Sequence, residues 1–177
     1  MSTMNAYDTK TQEVAELYRR ANAALKEEHL EQAQRFLDKA IELKVLNLQV
    51  YLLKIECDLR SKNFPEALKI CKRALEHYDE MKYAAKNAVC DKFELFLVRY
   101  QIYVQMGENE QAANELADLE AFVKQAHEDK LISTEKYKLY RGRIKQESGV
   151  MSRRASEVFV SQFCLISMTT HNVSIEK

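Results

Sequence analysis

The sequence is poor in the residues that build tight turns. It has three glycines, one proline and no tryptophan among 177 residues. Sandwiches and barrels of short strands need frequent turns, and Gly and Pro make most of them. An apolar fraction of 46% and a charged fraction of 31% suit long helices instead. We therefore predict an all-α protein, with a length that fits one domain.

Neither charge sign is in excess. The 27 basic residues balance the 27 acidic residues, so no global field attracts the chain to nucleic acid or to an acidic membrane. Nucleic acid is therefore an unlikely partner. The longest apolar-rich stretch, Val158 to Met168, is about half as long as a membrane span, so we expect no membrane partner.

Cysteine is sparse as well. Cys57, Cys71, Cys90 and Cys164 lack the paired short spacing of zinc sites and are too few for a disulfide scaffold. We interpret them as thiols in a reducing compartment. Because the first residues do not resemble a secretory signal, we expect a cytoplasmic protein, with the nucleus as the alternative.

The main positive feature is a repeat. Ala33 and Ala40 recur as Ala67 and Ala74, each 34 residues later (67 − 33 and 74 − 40). Seven residues make two helical turns, so each pair of alanines lies on one helix face. A fixed period of this length is typical of stacked helical units.

The apolar spacing predicts two antiparallel helices in each unit, joined by a short turn. In the second unit, Pro65 fits the first turn of a helix and Asn63 fits its cap. Ala112 follows Ala67 by 45 residues, eleven more than the period, which predicts a lengthened helix ending at Gly107. The predicted helices run approximately over residues 11–27, 30–43, 81–105, 110–124 and 133–146, and apolar residues over 50–59 and 67–75 mark the two helices of the second unit.

These residues resemble the tetratricopeptide repeat, or TPR, whose period is 34 residues. The resemblance covers about residues 14–122. It implies a right-handed stack of antiparallel helix pairs, a TPR-like α-solenoid with about three repeats plus a terminal helix. We divide the chain into a flexible N-terminus (1–11), the repeat domain (12–146) and a tail (147–177), either docked or disordered. The matching positions are Leu17, Ala21, Leu30, Ala33, Leu37, Ala40, Tyr51, Phe64, Ala67, Ala74, Phe96, Tyr103, Gly107 and Ala112.

Some members of the TPR family bind the C-terminal carboxylate of a chaperone through a clamp of Lys, Asn and Arg side chains. At those positions this chain has Tyr18, Asn22, Leu53, Glu94 and Val98. Only Asn22 matches, and Glu94 repels an anion. A chaperone carboxylate is therefore an unlikely ligand.

The resemblance implies that the first helix of each unit lines a concave groove that binds a partner protein. Apolar residues there can serve as anchors for a peptide or helix, and polar residues can set its register. The other interpretation is that Leu52 and Leu97 pack against a neighbouring element or against the tail. The predicted groove residues are Tyr18, Asn22, Lys26, Leu52, Glu56, Arg60, Leu97, Gln101 and Gln105.

The last predicted helix is basic and carries interleaved tyrosines at 137 and 140. This combination suits RNA or an acidic protein segment, whereas the simpler interpretation is a solvated face with the tyrosines directed inward. Its basic residues are Lys136, Lys138, Arg141, Arg143 and Lys145.

The remaining motifs are weaker. Ser156 follows two arginines, as in sites for basophilic kinases. No histidine pair has ligand spacing and no glycine-rich phosphate loop occurs. We therefore predict no catalytic residues, no metal and no cofactor. The predicted function is a non-enzymatic adaptor that assembles protein complexes, and the alternative is a structural subunit whose groove holds its own tail or a second copy of the chain.

Overall fold

The computed structural model describes residues 6–80 and 85–149. These residues form seven helices and no strand, which confirms the all-α prediction. The helices are α1 (Ala6–Lys26), α2 (Leu30–Glu42), α3 (Leu48–Arg60), α4 (Phe64–Glu80), α5 (Ala85–Met106), α6 (Asn109–Glu128) and α7 (134–149).

From α1 to α6, the contacts are mainly between helices that are consecutive in the chain. Successive helices run antiparallel, as the contacts between α5 and α6 illustrate. Phe96 near the middle of α5 meets Phe122 near the end of α6, whereas Arg99, further along α5, pairs with Glu115, nearer the start of α6. The chain therefore folds as a series of helical hairpins.

The turns inside the hairpins repeat with the sequence. Glu28, Lys62 and Gly107 each adopt a positive φ, of 62°, 57° and 78°. The next residue in each turn donates its N–H to the carbonyl five positions back: His29 to Ala24, Asn63 to Asp58 and Glu108 to Tyr103. This pattern is the Schellman motif, which satisfies the last carbonyls of a helix. The 34-residue step from Glu28 to Lys62 thus joins two turns of the same geometry.

The repeated alanines occupy equivalent places after these turns. Ala33, Ala67 and Ala112 are each the fourth residue of their helix, counting from Leu30, Phe64 and Asn109, and each is fully buried. A methyl group at these positions lets the neighbouring helix approach closely. One turn-to-helix geometry therefore recurs in all three hairpins.

Two hydrophobic cores lie along the series, and α5 contributes to both. Its Leu95 and Ile102 belong to the first core, with residues of α1 to α4. Its Phe93, Leu97 and Tyr100 belong to the second core, with residues of α6 and α7. Because α5 is apolar on two sides, it joins the two halves of the described chain.

The boundaries differ from the predicted ones at both ends. The first helix begins at Ala6 rather than near Thr11, because no Gly or Pro interrupts this stretch and Asp8 lies favourably in the first turn. The last helix continues to residue 149 instead of ending at 146. The rest of the predicted tail, including Ser156, lies outside the described residues. Within the described parts of the chain, no helix is both long enough and apolar enough to cross a bilayer.

Candidate functional site: the α1–α3 face

Equivalent positions on α1 and α3 form the candidate site, which we call the α1–α3 face. The two helices contact each other directly, and each ends in the same type of turn. Side chains 34 residues apart therefore have the same register on neighbouring helices. The face consists of Tyr18, Asn22 and Lys26 on α1 and Leu52, Glu56 and Arg60 on α3.

The apolar members of this face are only half-buried. Tyr18 and Leu52 pack against the first core, yet each keeps part of its surface exposed. Both residues are anchored on one side by the core, so little side-chain entropy remains to be lost when a ligand covers the other side. They are suited to serve as preorganised apolar contacts.

The polar members surround these contacts. Asn22 is half-buried, whereas Lys26, Glu56 and Arg60 are exposed. Glu56 and Arg60 form an ion pair one helical turn apart, with Oε1 and Nη2 separated by 2.5 Å. An exposed pair of this kind contributes little to folding stability, so its charges remain available to set the register of a bound segment.

The predicted groove on α5 is wrong at one position. Leu97 is only 3% exposed, because it packs in the second core with Tyr140 and Ile144 of α7. The burial of Leu97 agrees with the other interpretation, in which this side chain packs against a neighbouring element of the fold. Gln101 and Gln105 are exposed as expected, but without Leu97 they form no apolar contact point.

The basic residues of α7 do not form one patch. Lys136 Nζ lies 2.8 Å from Cys90 Sγ, and Arg143 forms two hydrogen bonds with the carboxylate of Glu94. These two cations face α5. Lys138, Arg141 and Lys145 remain exposed.

The tyrosines of α7 also face inward. Tyr140 is buried and stacks on Phe93 with ring centroids 3.8 Å apart. Tyr137 stacks on His127 with centroids 4.4 Å apart. Both rings are occupied by protein contacts, so they do not offer the free stacking surface that RNA binding requires.

Sequence reasoning missed a cleft of about 320 Å³ between α2, α3 and α4. At the cleft, the Tyr51 hydroxyl is 2.6 Å from His77 Nδ1. Burial raises the pKa of Tyr51 and lowers the pKa of His77, which favours a neutral pair. Lys44 and Arg73 also line the cleft.

The cleft offers a hydrogen-bonding pair but no assembled nucleophile. Tyr51 and His77 are 26 residues apart on different helices, so no local motif could have indicated their contact. Cys71, the cysteine nearest to His77 in sequence, is fully buried in the first core. Within residues 6–80 and 85–149, no group of three His, Cys, Asp or Glu residues could hold a metal ion.

No protein-family model matches the sequence, and no curated protein matches it. The resemblance to the TPR family therefore depends on the repeat itself, namely the period, the buried alanines and the shared turns.

Proposed function

We propose that the chain is a non-enzymatic, TPR-like adaptor that binds a segment of a partner protein on the α1–α3 face, and that it acts in the cytoplasm. The observation that carries this proposal is the pairing of Tyr18 and Leu52, two half-buried apolar residues at equivalent positions on adjacent helices. Exposed charged residues surround them. Apolar contacts within a polar rim are the usual arrangement of a protein-binding surface.

The repeated frame supports this function through preorganisation. The α1 and α3 backbones are held by the buried alanines and the shared turns, so the spacing of Tyr18 and Leu52 is set before a partner arrives. The receptor then loses little conformational entropy on binding. Lys26, Glu56 and Arg60 offer both charge signs, which favours a partner segment that is itself of mixed charge.

The proposal is tested by affinity capture from native cell extract with the full chain and a Tyr18→Ala/Leu52→Ala variant. The matched control is Leu139→Ala, which removes an apolar side chain that is 60% exposed on α7. Circular dichroism first verifies that all three proteins remain helical. We expect a partner that the native and control chains recover and the double variant loses. Recovery of the same proteins by all three chains contradicts binding at this face.

A second variant tests the role of charge. Glu56→Arg combined with Arg60→Glu preserves an ion pair within α3 but reverses its direction. If the pair sets the register of the partner, the captured protein binds this variant more weakly while the helical content is unchanged. Equal affinity for the native and swapped chains shows that the charges do not contribute.

A further inference from the structure

A cluster of reactive side chains lies where α7 packs on α5, away from the α1–α3 face. Lys136 Nζ is 2.8 Å from Cys90 Sγ, and Tyr140 lies beside the same cysteine, with burial first and then Cys90 raising the pKa of the tyrosine. A separation of 2.8 Å is ordinary for a nitrogen–oxygen hydrogen bond but short for sulfur, which is a larger and weaker acceptor. An amine and a thiol are thus held at close range by two different helices.

The other described cysteines are more deeply buried than Cys90. Cys57 and Cys71 are fully buried, and burial raises the pKa of Cys57 to about 11 and that of Cys71 to about 12. Such thiols are inert, because the thiolate is the nucleophile. Cys90 is only half-buried, so a small oxidant can reach it. The Lys136 amino nitrogen lies directly beside it.

We propose that Cys90 and Lys136 form an oxidative cross-linking site that responds to hydrogen peroxide. In the first step the Cys90 sulfur attacks one peroxide oxygen. An S–O bond forms and the O–O bond breaks. The departing hydroxide takes up the proton that leaves the thiol and departs as water, so Cys90 becomes a sulfenic acid. The Lys136 ammonium releases one proton to solvent and becomes a neutral amine.

In the second step the unprotonated Lys136 amine attacks the sulfur of this sulfenic acid. An S–N bond forms, the S–O bond breaks, and the hydroxyl leaves as a second water with a proton from the amine. One peroxide thus accepts two electrons and two waters are released. The product is a sulfenamide, the class of compound that sulfenic acids form with nitrogen nucleophiles.

The surrounding contacts keep the two atoms together throughout. Tyr140 stacks on Phe93, and Arg143 pairs with Glu94, so α7 is held against α5 independently of the Cys90–Lys136 contact. The amine is therefore next to the sulfur when the sulfenic acid forms. The cross-link fixes α7 to α5 covalently.

The test uses the full chain, titrated with hydrogen peroxide, alkylated to block remaining thiols, digested and analysed by mass spectrometry. We expect a joined peptide containing Cys90 and Lys136, lighter than the two separate peptides by two hydrogens. Treatment with a thiol reductant should restore both peptides. Cys57 and Cys71 serve as internal controls and should be recovered in alkylated form after denaturation.

Two conservative variants separate the steps. Lys136→Arg retains the cation but cannot form this link, so the cross-link should be lost while a sulfenic-acid probe labels Cys90. Lys138→Arg changes an exposed lysine on the same helix and should leave the cross-link intact. If Cys90 is oxidised no faster than Cys57 and Cys71 are, the proposal is wrong. It is also wrong if the native chain yields only sulfenic acid, or a disulfide between Cys90 and Cys164.

Discussion

Tyr140 lies flat against Phe93, with ring centroids 3.8 Å apart and ring planes 12° apart. On the same ring of Phe93, the Arg143 guanidinium makes a cation–π contact at 4.9 Å. Both aromatic residues are buried. The contact therefore makes α7 a part of the second core, rather than a peripheral addition to it.

Tyr140→Ala should lower the free energy of unfolding by about 3–5 kcal/mol, the range for removing a large buried aromatic side chain. The loss reflects both the vacated volume and the missing stack. Urea denaturation monitored by circular dichroism measures it. Tyr140→Phe keeps the ring and loses only the hydroxyl, so its cost should be about 1 kcal/mol. Equal costs for the two variants would show that the stack contributes nothing.

Because Ala112 is a buried alanine of the repeat, the same substitution should affect stability very differently at Ala112 and at its neighbour Ala113 in α6. Ala112 is fully buried at the hairpin contact, whereas Ala113 is exposed. Ala112→Leu should destabilise the protein by about 1–3 kcal/mol, because a close-packed core cannot admit the larger side chain without strain. Ala113→Leu should change the stability by less than about 0.5 kcal/mol. Thermal unfolding of the two variants compares them, and similar melting temperatures would contradict the close packing.

Substitutions at equivalent positions of the hairpin turns should change the stability of the fold in opposite directions. Lys62 has a φ of 57°, a strained value for a residue with a side chain, whereas Gly107 adopts 78° without strain. Lys62→Gly should stabilise the fold by about 0.5–1 kcal/mol, and Gly107→Ala should destabilise it by about 1 kcal/mol. Added atoms meet no neighbour at Gly107, so backbone strain is the only cause. Chemical denaturation tests both values, and equal signs would refute the shared turn geometry.

The sequence predicts the hairpins well because their determinants are local. A buried alanine, a turn residue and apolar spacing within one helix are all readable from neighbouring residues, so the start of α2 at Leu30 was predicted correctly. Asn63 is also confirmed as a cap, since its side chain accepts from the Glu66 N–H at 3.4 Å. The extra length before Gly107 was assigned to one helix only in part correctly, because α5 has 22 residues but α4, at 17 residues, is also longer than the equivalent α2, at 13.

Features that depend on distant packing were not predictable in the same way. Leu97 has the register of an exposed groove residue but is buried in the second core with residues of α6 and α7, and the packing of these helices on α5 is not encoded by the repeat period. Similarly, Lys136 and Arg143 look like parts of a basic face until Cys90 and Glu94 are placed opposite them. The sequence specifies which helices form, and tertiary contacts then decide which of their residues stay exposed.

The buried carboxyl group of Asp58 should make the stability of the folded protein depend on pH in an unusual way. Its carboxylate is 1% exposed. Oδ1 accepts a hydrogen bond from Gln34, but Oδ2 has no hydrogen-bond partner in the described structure. Burial raises the pKa of Asp58 above its usual 3.8, although Lys54 opposes this shift. The folded protein therefore binds a proton at this site more tightly than the unfolded chain does.

The stability gained from that proton is complete below about pH 3.8, the unfolded value, and is lost as the pH rises through the folded pKa. The Asp58→Asn side chain cannot titrate, so the variant does not lose stability in this way. The native chain should therefore become progressively less stable than the variant as the pH increases from about 4 to neutrality. Urea unfolding at several pH values measures the difference. Asp38→Asn removes the exposed carboxylate 3.1 Å from Lys54 and should retain the Asp58-dependent loss. A constant difference between the native chain and Asp58→Asn would mean that Asp58 is already ionised throughout this range, and that Lys54 outweighs its burial.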